Sequence, residues 1–273
     1  KQKLREGKVG SMLNEIVPET SLELQRIARQ ESRLGIPLIM GRDVIHGYRT
    51  IFPIPLAQAA TWEPSLAQAA ARVAAKEAAH AGFHWSFAAL LDITHAPRWG
   101  RIAEGFGEDS YLGSLFAAAM VRGFQGDDLS SPDTIAACAK HYVGYGAAEG
   151  GRDYNTSYIP ENLLHDLYLP PFKAAVDAGA ATIMSAFNEI NGVPATGNVH
   201  TLRDILKNEW QFDGFVVSDW NSTAEMISHG YCEDMKDVAK KSIAAGIDME
   251  MQSPAYSDHL EELVKDGVVP EEL

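Results

Sequence analysis

The chain has 273 residues, 46% of them hydrophobic, which is the size of one α/β barrel and enough to bury a large core. Its 23 Lys and Arg against 37 Asp and Glu leave a formal net charge of −14 at pH 7, which excludes the clustered cationic surface that nucleic-acid binding needs. The two cysteines, Cys138 and Cys232, are too few for a disulfide scaffold, no Cys/His spacing suggests a metal, and no apolar run reaches the roughly 20 residues of a membrane span.

In chain order, strand-length apolar runs alternate with helical patterns. Strands are expected at 9–14 (VGSMLN) and 37–43 (PLIMGRD), then a helix at 64–82, opened by Pro64 and closed by Gly82. A strand at 84–93 and a helix at 111–124 follow, then a strand at 135–144 and a helix at 160–179. The series ends with strands at 181–188, 214–220 and 247–251, separated by helices at 201–210 and 235–246. The strand runs are near-continuously hydrophobic, as parallel strands covered on both faces must be. Strand–helix alternation with seven strands predicts a (β/α)8 TIM-like barrel, with the eighth strand irregular or lost to truncation. No G-x-G-x-x-G follows a strand, so a dinucleotide cofactor has no support. Both ends look cut: "KQKLREGK" opens inside a helix-like run, and "SDHLEELVKDGVVPEEL" reads as a helix, a turn and the start of another helix. Residues 1–273 therefore read as one catalytic barrel domain of a longer polypeptide.

Active sites of such barrels lie at the C-terminal strand ends. There the sequence places Asp43, Asp92, Lys140, His141, Met184, Ser185, Asn188, Asp219 and Trp220, with Arg49, Arg98, Arg101 and Arg152 in the loops behind. Mixed carboxylates and cations suit an uncharged, hydroxyl-rich ligand, because each sugar hydroxyl both donates and accepts. Asp219, flanked by cationic groups, is expected to stay ionised and to attack an anomeric carbon; the other reading is a cap for the helix beginning in "DWNSTAEM".

Five motifs in order, "GIPLIMGRDVIHGYRTIFPIPLA", "PRWGRIAEGFGEDSYL", "AKHYVGYGAAEGGRDYN", "IMSAFNEINGVPA" and "GFVVSDW", resemble the N-terminal barrel domain of glycoside hydrolase family 3, bacterial β-glucosidase type. The resemblance implies that Asp219 is the nucleophile and that Asp43 holds the far hydroxyls of the nonreducing-end sugar. It implies substrate binding by Arg49, Arg101, Lys140, His141 and Arg152, with Met184 and Trp220 as an apolar wall. It further implies a retaining, exo-acting β-glucosidase, periplasmic or secreted, whose acid/base Glu comes from a second domain after the barrel. Glu149 and Glu104 are the in-chain substitutes for that acid. No metal or cofactor is implied, and a homo-oligomer stays open. β-Xylosides rank next as substrates. N-acetylhexosaminides are disfavoured, because the loop "YVGYGAAEGGRDYN" lacks the His of that branch. Two departures stand out: Phe187 where many members carry Tyr, and His95–Ala96 where an Arg–Asp pair is common.

Other residues read as structural. Arg98, Trp99 and Asp92 brace the loop, Glu104, Glu108 and Asp109 order it and start the next helix, and His46, His80 and Cys138 belong to the packing. Two rival functions are a Schiff-base aldolase on Lys140 and a sugar-binding barrel without catalysis.

Overall fold

The computed structural model describes residues 1–273. Six parallel strands form one sheet: β1 (Ser11–Leu13), β2 (Ile39–Arg42), β3 (Trp85–Ser86), β4 (Ala136–Tyr142), β5 (Thr182–Ser185) and, after a small hairpin, β8 (Phe215–Ser218). They lie side by side in chain order, as right-handed β/α crossovers dictate. The hairpin, β6 (Glu189–Ile190) and β7 (Val193–Pro194), turns at Asn191 and Gly192, both at positive φ, the Asn-Gly chemistry of a two-residue turn.

The sheet curls into an incomplete, TIM-like barrel. Inside it Trp85 of β3 donates its Nε1–H to Thr182 Oγ1 of β5 at 2.8 Å, and its ring meets Phe215 of β8 at 5.3 Å. Trp85, Phe87, Cys138, Met184 and Val217 fill the interior. Residues 247–251, expected as the last strand, form only one bridge, Met249 to Val217. The reason is local: Asp248 Oδ2 takes the Val216 N–H at 2.7 Å. Met12 and Leu13 on one edge and Met249 and Met251 on the other line a single cleft beside Trp220, so the two edges of the sheet face each other.

Helices cover the outside. Helix Pro64–His80 buries Ala67, Ala71, Ala74, Ala75 and Ala78, one stripe at helical spacing. Those small side chains admit helix Ser110–Gln125 closely; a Cβ on its Gly123 would lie 2.6 Å from Ala71 Cβ. That second helix starts where Asp109 accepts the Leu112 N–H at 2.6 Å, as expected of a loop-ordering acid. The helix expected over 160–179 is interrupted. Glu161–Leu163 runs into a wide turn, Leu164–Tyr168, before Pro170–Asp177. Pro170 and Pro171 have no N–H to give the preceding turn, so Leu169 bonds back to Leu164, one residue further than in an α-helix.

The third strand departs most from expectation. After Ser86 the chain leaves regular pairing, yet it stays beside β4: Cys138 and Lys140 donate their N–H groups to the carbonyls of Ala88 and Ala89. That irregular path carries Asp92 to the C-terminal rim, next to β4.

Candidate active site

Four rim segments converge. Asp43 follows β2, Asp92 ends the irregular path after β3, Lys140 and His141 lie on β4, and Asp219 follows β8. Lys140 is 5% exposed in its side chain, and a buried ammonium needs a partner. It finds Asp43 Oδ1 at 2.8 Å. Asp43 is itself 47% exposed, so the pair presents a carboxylate to solvent with a cation behind it.

His141 is fully buried and held from one side. Asp92 Oδ2 accepts both its backbone N–H, at 3.0 Å, and its Nδ1–H, at 2.9 Å. Burial keeps the imidazole pKa well below its ordinary value, and the nearby Arg101 and Lys140 charges act in the same direction. The ring is therefore neutral, and with Nδ1 protonated, Nε2 carries a lone pair. Nε2 has no hydrogen-bond partner within the protein and points at Asp219 Oδ2, 3.2 Å away. Two acceptors face each other, an arrangement that a hydroxyl donor between them, or a proton on Asp219, relieves.

Asp219 is nearly buried, and its Oδ1 accepts the Trp220 N–H at 2.5 Å. The carboxylate does not cap the following helix, Ser222–Ser228, whose first N–H bonds instead to the Asp219 carbonyl at 3.1 Å. Burial pushes the Asp219 carboxyl up to about 6, against the Trp220 N–H and the charges of Lys140 and Arg101, which pull it down. It is thus mainly ionised at neutral pH, though less strongly than its cationic neighbours alone would give. Asp92, fully buried, is pushed up to about 7 by the same cause, against the N–H of His141.

Arg101 faces this group while gripped by Glu104, with Nε to Oε1 at 2.7 Å and NH2 to Oε2 at 3.0 Å. Its guanidinium lies over the Tyr145 ring, 5.8 Å from the centroid. Tyr145 in turn meets His141 edge-on at 5.2 Å. Trp99 braces the loop as expected, donating to Asp153 Oδ1 at 2.9 Å. His46 and His80 bond to the Phe52 and Lys76 carbonyls, both structural contacts.

The remaining expected residues make no side-chain hydrogen bond to this cluster. Arg49 lines an outer pocket with Tyr48, Lys76, Glu77 and His80. Arg152 is exposed and bonds to the Glu149 carbonyl, and Glu149 is exposed on the same loop. Met184 pairs in register with Val217, two residues before Asp219, and is buried in the barrel interior. Trp220 is 50% exposed at the mouth.

Two residues carry more than the sequence reading gave them. Asp92 holds His141 rather than the loop. Glu225 on helix Ser222–Ser228, the helix that follows Asp219, has its carboxyl raised by burial and by the Asp219 charge. A polar residue ending a long apolar run was the available signal for Asp92; nothing local marked Glu225.

The model of the glycosyl hydrolase family 3 N terminal domain matches residues 1–273. The chain belongs to that family. Among family relatives, the chain is 39% identical over 269 residues to a periplasmic beta-glucosidase of Salmonella typhimurium, covering 98% of this chain and 35% of that one. It is 34% identical over 259 residues to a beta-xylosidase of Formosa agariphila, covering 89% and 36%. A crystal structure of beta-glucosidase from Listeria innocua in complex with isofagomine superposes with a TM-score of 0.94 at 41% identity, covering 97% of this chain and 37% of that one. The chain thus spans about a third of the length of the relatives it matches. Lys140 is buried in a salt bridge, its amine engaged by Asp43.

Proposed function

We propose that the polypeptide containing this barrel is a retaining, exo-acting β-glucosidase. The observation that carries the reading is the buried Asp219 carboxylate, turned toward His141 at a rim that also holds the Lys140–Asp43 pair. A nonreducing-end glucose placed there would give hydroxyl protons to Asp43 and His141 Nε2 and accept from Lys140. Asp219 would then attack the anomeric carbon as the bond to the leaving oxygen breaks, and water would later release the sugar from the glycosyl–Asp219 ester. The leaving oxygen needs a proton. Glu104 is engaged by Arg101 and Glu149 is turned to solvent, so we assign that proton to a Glu of a second domain. Location in the periplasm or outside the cell is part of the proposal, in line with the name of the Salmonella relative.

A β-xylosidase reading has specific support in the name of the Formosa relative. The two differ by one hydroxymethyl group, which in a pocket is worth about 1–3 kcal/mol of discrimination. The test compares kcat/KM on aryl β-glucoside, β-xyloside and β-N-acetylglucosaminide, and reads the first-formed anomer by NMR. The expected result is glucoside preferred by about tenfold or more, with the β-anomer first. Xyloside preference transfers the assignment, and an α-anomer first overturns retention.

Asp43→Asn tests the sugar-binding half. A charged hydrogen bond contributes about 1.5–3 kcal/mol, so kcat/KM on β-glucosides should fall at least about tenfold. An unchanged value removes Asp43 from the site.

A further inference from the structure

Outside the active site, one cluster has the composition of a metal centre. Glu161 and His165 are four apart on the helix that starts at Glu161, so they share one face. His200 opens the helix His200–Glu209 and comes to the same spot. Both imidazoles aim Nε2 at a single oxygen: Glu161 Oε1 lies 3.1 Å from His165 Nε2 and 2.7 Å from His200 Nε2. The three donor atoms lie within 4.8 Å of one another, and all three side chains are exposed to solvent. Asp204, one turn after His200, has its carboxylate 3.9 Å from the other ring nitrogen, Nδ1.

As ion pairs these contacts are worth little, because exposed pairs contribute near zero to about 1 kcal/mol. The arrangement of two imidazole nitrogens and one carboxylate oxygen suits a cation better. Tetrahedral zinc with bonds of about 2.0–2.2 Å sets its ligand atoms about 3.4 Å apart. The two oxygen–nitrogen spacings, 3.1 and 2.7 Å, would open by about 0.3 and 0.7 Å, and the nitrogen pair, within 4.8 Å, would close by up to about 1.4 Å, movements within reach of exposed side chains. Asp204 Oδ2, 3.9 Å from His200 Nδ1, lies beyond hydrogen-bond distance; a side-chain movement of about 1 Å would let it accept from that nitrogen, the carboxylate–imidazole support that metal-bound histidines use.

We propose that Glu161, His165 and His200 bind a divalent transition cation of the zinc class, with water completing the shell and Asp204 orienting His200. Two imidazoles favour zinc over magnesium or calcium, which prefer all-oxygen shells. The cation would tie the helix that follows β4 to the helix preceding β8. That second helix already touches the active-site strand: Tyr142, next to His141, donates its hydroxyl to the Thr201 carbonyl at 2.8 Å. The site is therefore a clamp behind the sugar-binding strand.

The test is calorimetric titration of the chelator-stripped protein with Zn2+, with Mg2+ as the comparison. The expected result is a single equivalent of Zn2+ at micromolar affinity, no Mg2+ uptake in that range, and at least about tenfold weaker Zn2+ binding in both His165→Ala and His200→Ala. These positions are exposed, so the variants keep the fold. Absence of Zn2+ uptake at micromolar concentrations, or uptake undiminished in both variants, overturns the proposal.

Discussion

Asp219→Ala is expected to lower kcat on aryl β-glucosides by about 10³-fold or more, because it removes the atom that forms the covalent bond. A loss confined to KM would make Asp219 a binding residue instead. Its protonation gives a second readout. The carboxyl is pushed up to about 6 by burial, so kcat/KM should fall on the acid side with an apparent pKa near that value. The stability sign runs the other way. A carboxyl whose pKa is higher in the folded state binds its proton more tightly there than in the unfolded chain. Its contribution is present below about pH 4 and is lost as pH rises to about 6. Asp219→Asn, which stays neutral, should therefore leave the melting temperature at pH 7 unchanged or raised while activity collapses. A strongly lowered melting temperature would mean that the residue is held for packing.

Asp92→Ala should lower kcat/KM by about 10–100-fold, the usual loss when the partner that orients a functional histidine is removed. Asp92 touches no substrate in this account; it is a positioning residue. Its carboxylate fixes the His141 proton on Nδ1 and leaves Nε2 as an acceptor. With Ala at position 92 no acceptor remains at Nδ1, and the ring proton can move to Nε2. Nε2–H would then point at Asp219 Oδ2, 3.2 Å away, and favour the ionised carboxylate. The acid limb of the pH profile should consequently move below about 6 in the variant. A purely structural role for Asp92 would reduce activity and leave that limb in place, which makes the pH profile the deciding readout.

The rim could be read from the sequence because parallel strands covered on both faces are almost wholly apolar. Asp43, Lys140, His141 and Asp219 therefore stand out where the runs end, and these three strand ends meet at one place in a curled sheet. What was illegible depends on long-range contacts. "HWSFAALLDI" has the composition of a buried strand throughout, yet only Trp85–Ser86 pairs regularly; the carbonyls of Ala88 and Ala89 serve β4 along an irregular path. Periodicity places Asp92 at the end of that run but cannot say that His141 is its partner. In 247–251 the Asp248 carboxylate takes the Val216 N–H that a ladder carbonyl would otherwise take, so one bridge forms where a strand was expected. The Asn191-Gly192 hairpin has its signal in "NEINGVPA", an Asn-Gly turn between short apolar runs, although the apolar run before it reads as one strand. Arg49 and Arg152 show the limit of motif reasoning. Residue type and spacing single them out, but loop conformation decides where they point: Arg49 lines a pocket with Tyr48 and Glu77, and Arg152 bonds to the Glu149 carbonyl.

The central claim is that Asp219 forms the glycosyl ester. It is tested most directly by inactivating the protein with a 2-deoxy-2-fluoro-β-glucoside bearing an activated leaving group and locating the label by peptide mass mapping. The fluorine slows release of the intermediate more than its formation, so the ester accumulates on the nucleophile. The account predicts one label, on Asp219, within the peptide carrying "GFVVSDW". A label on another carboxylate, with Glu225 on the helix after Asp219 the first to check, or steady turnover with no label at all, would contradict it.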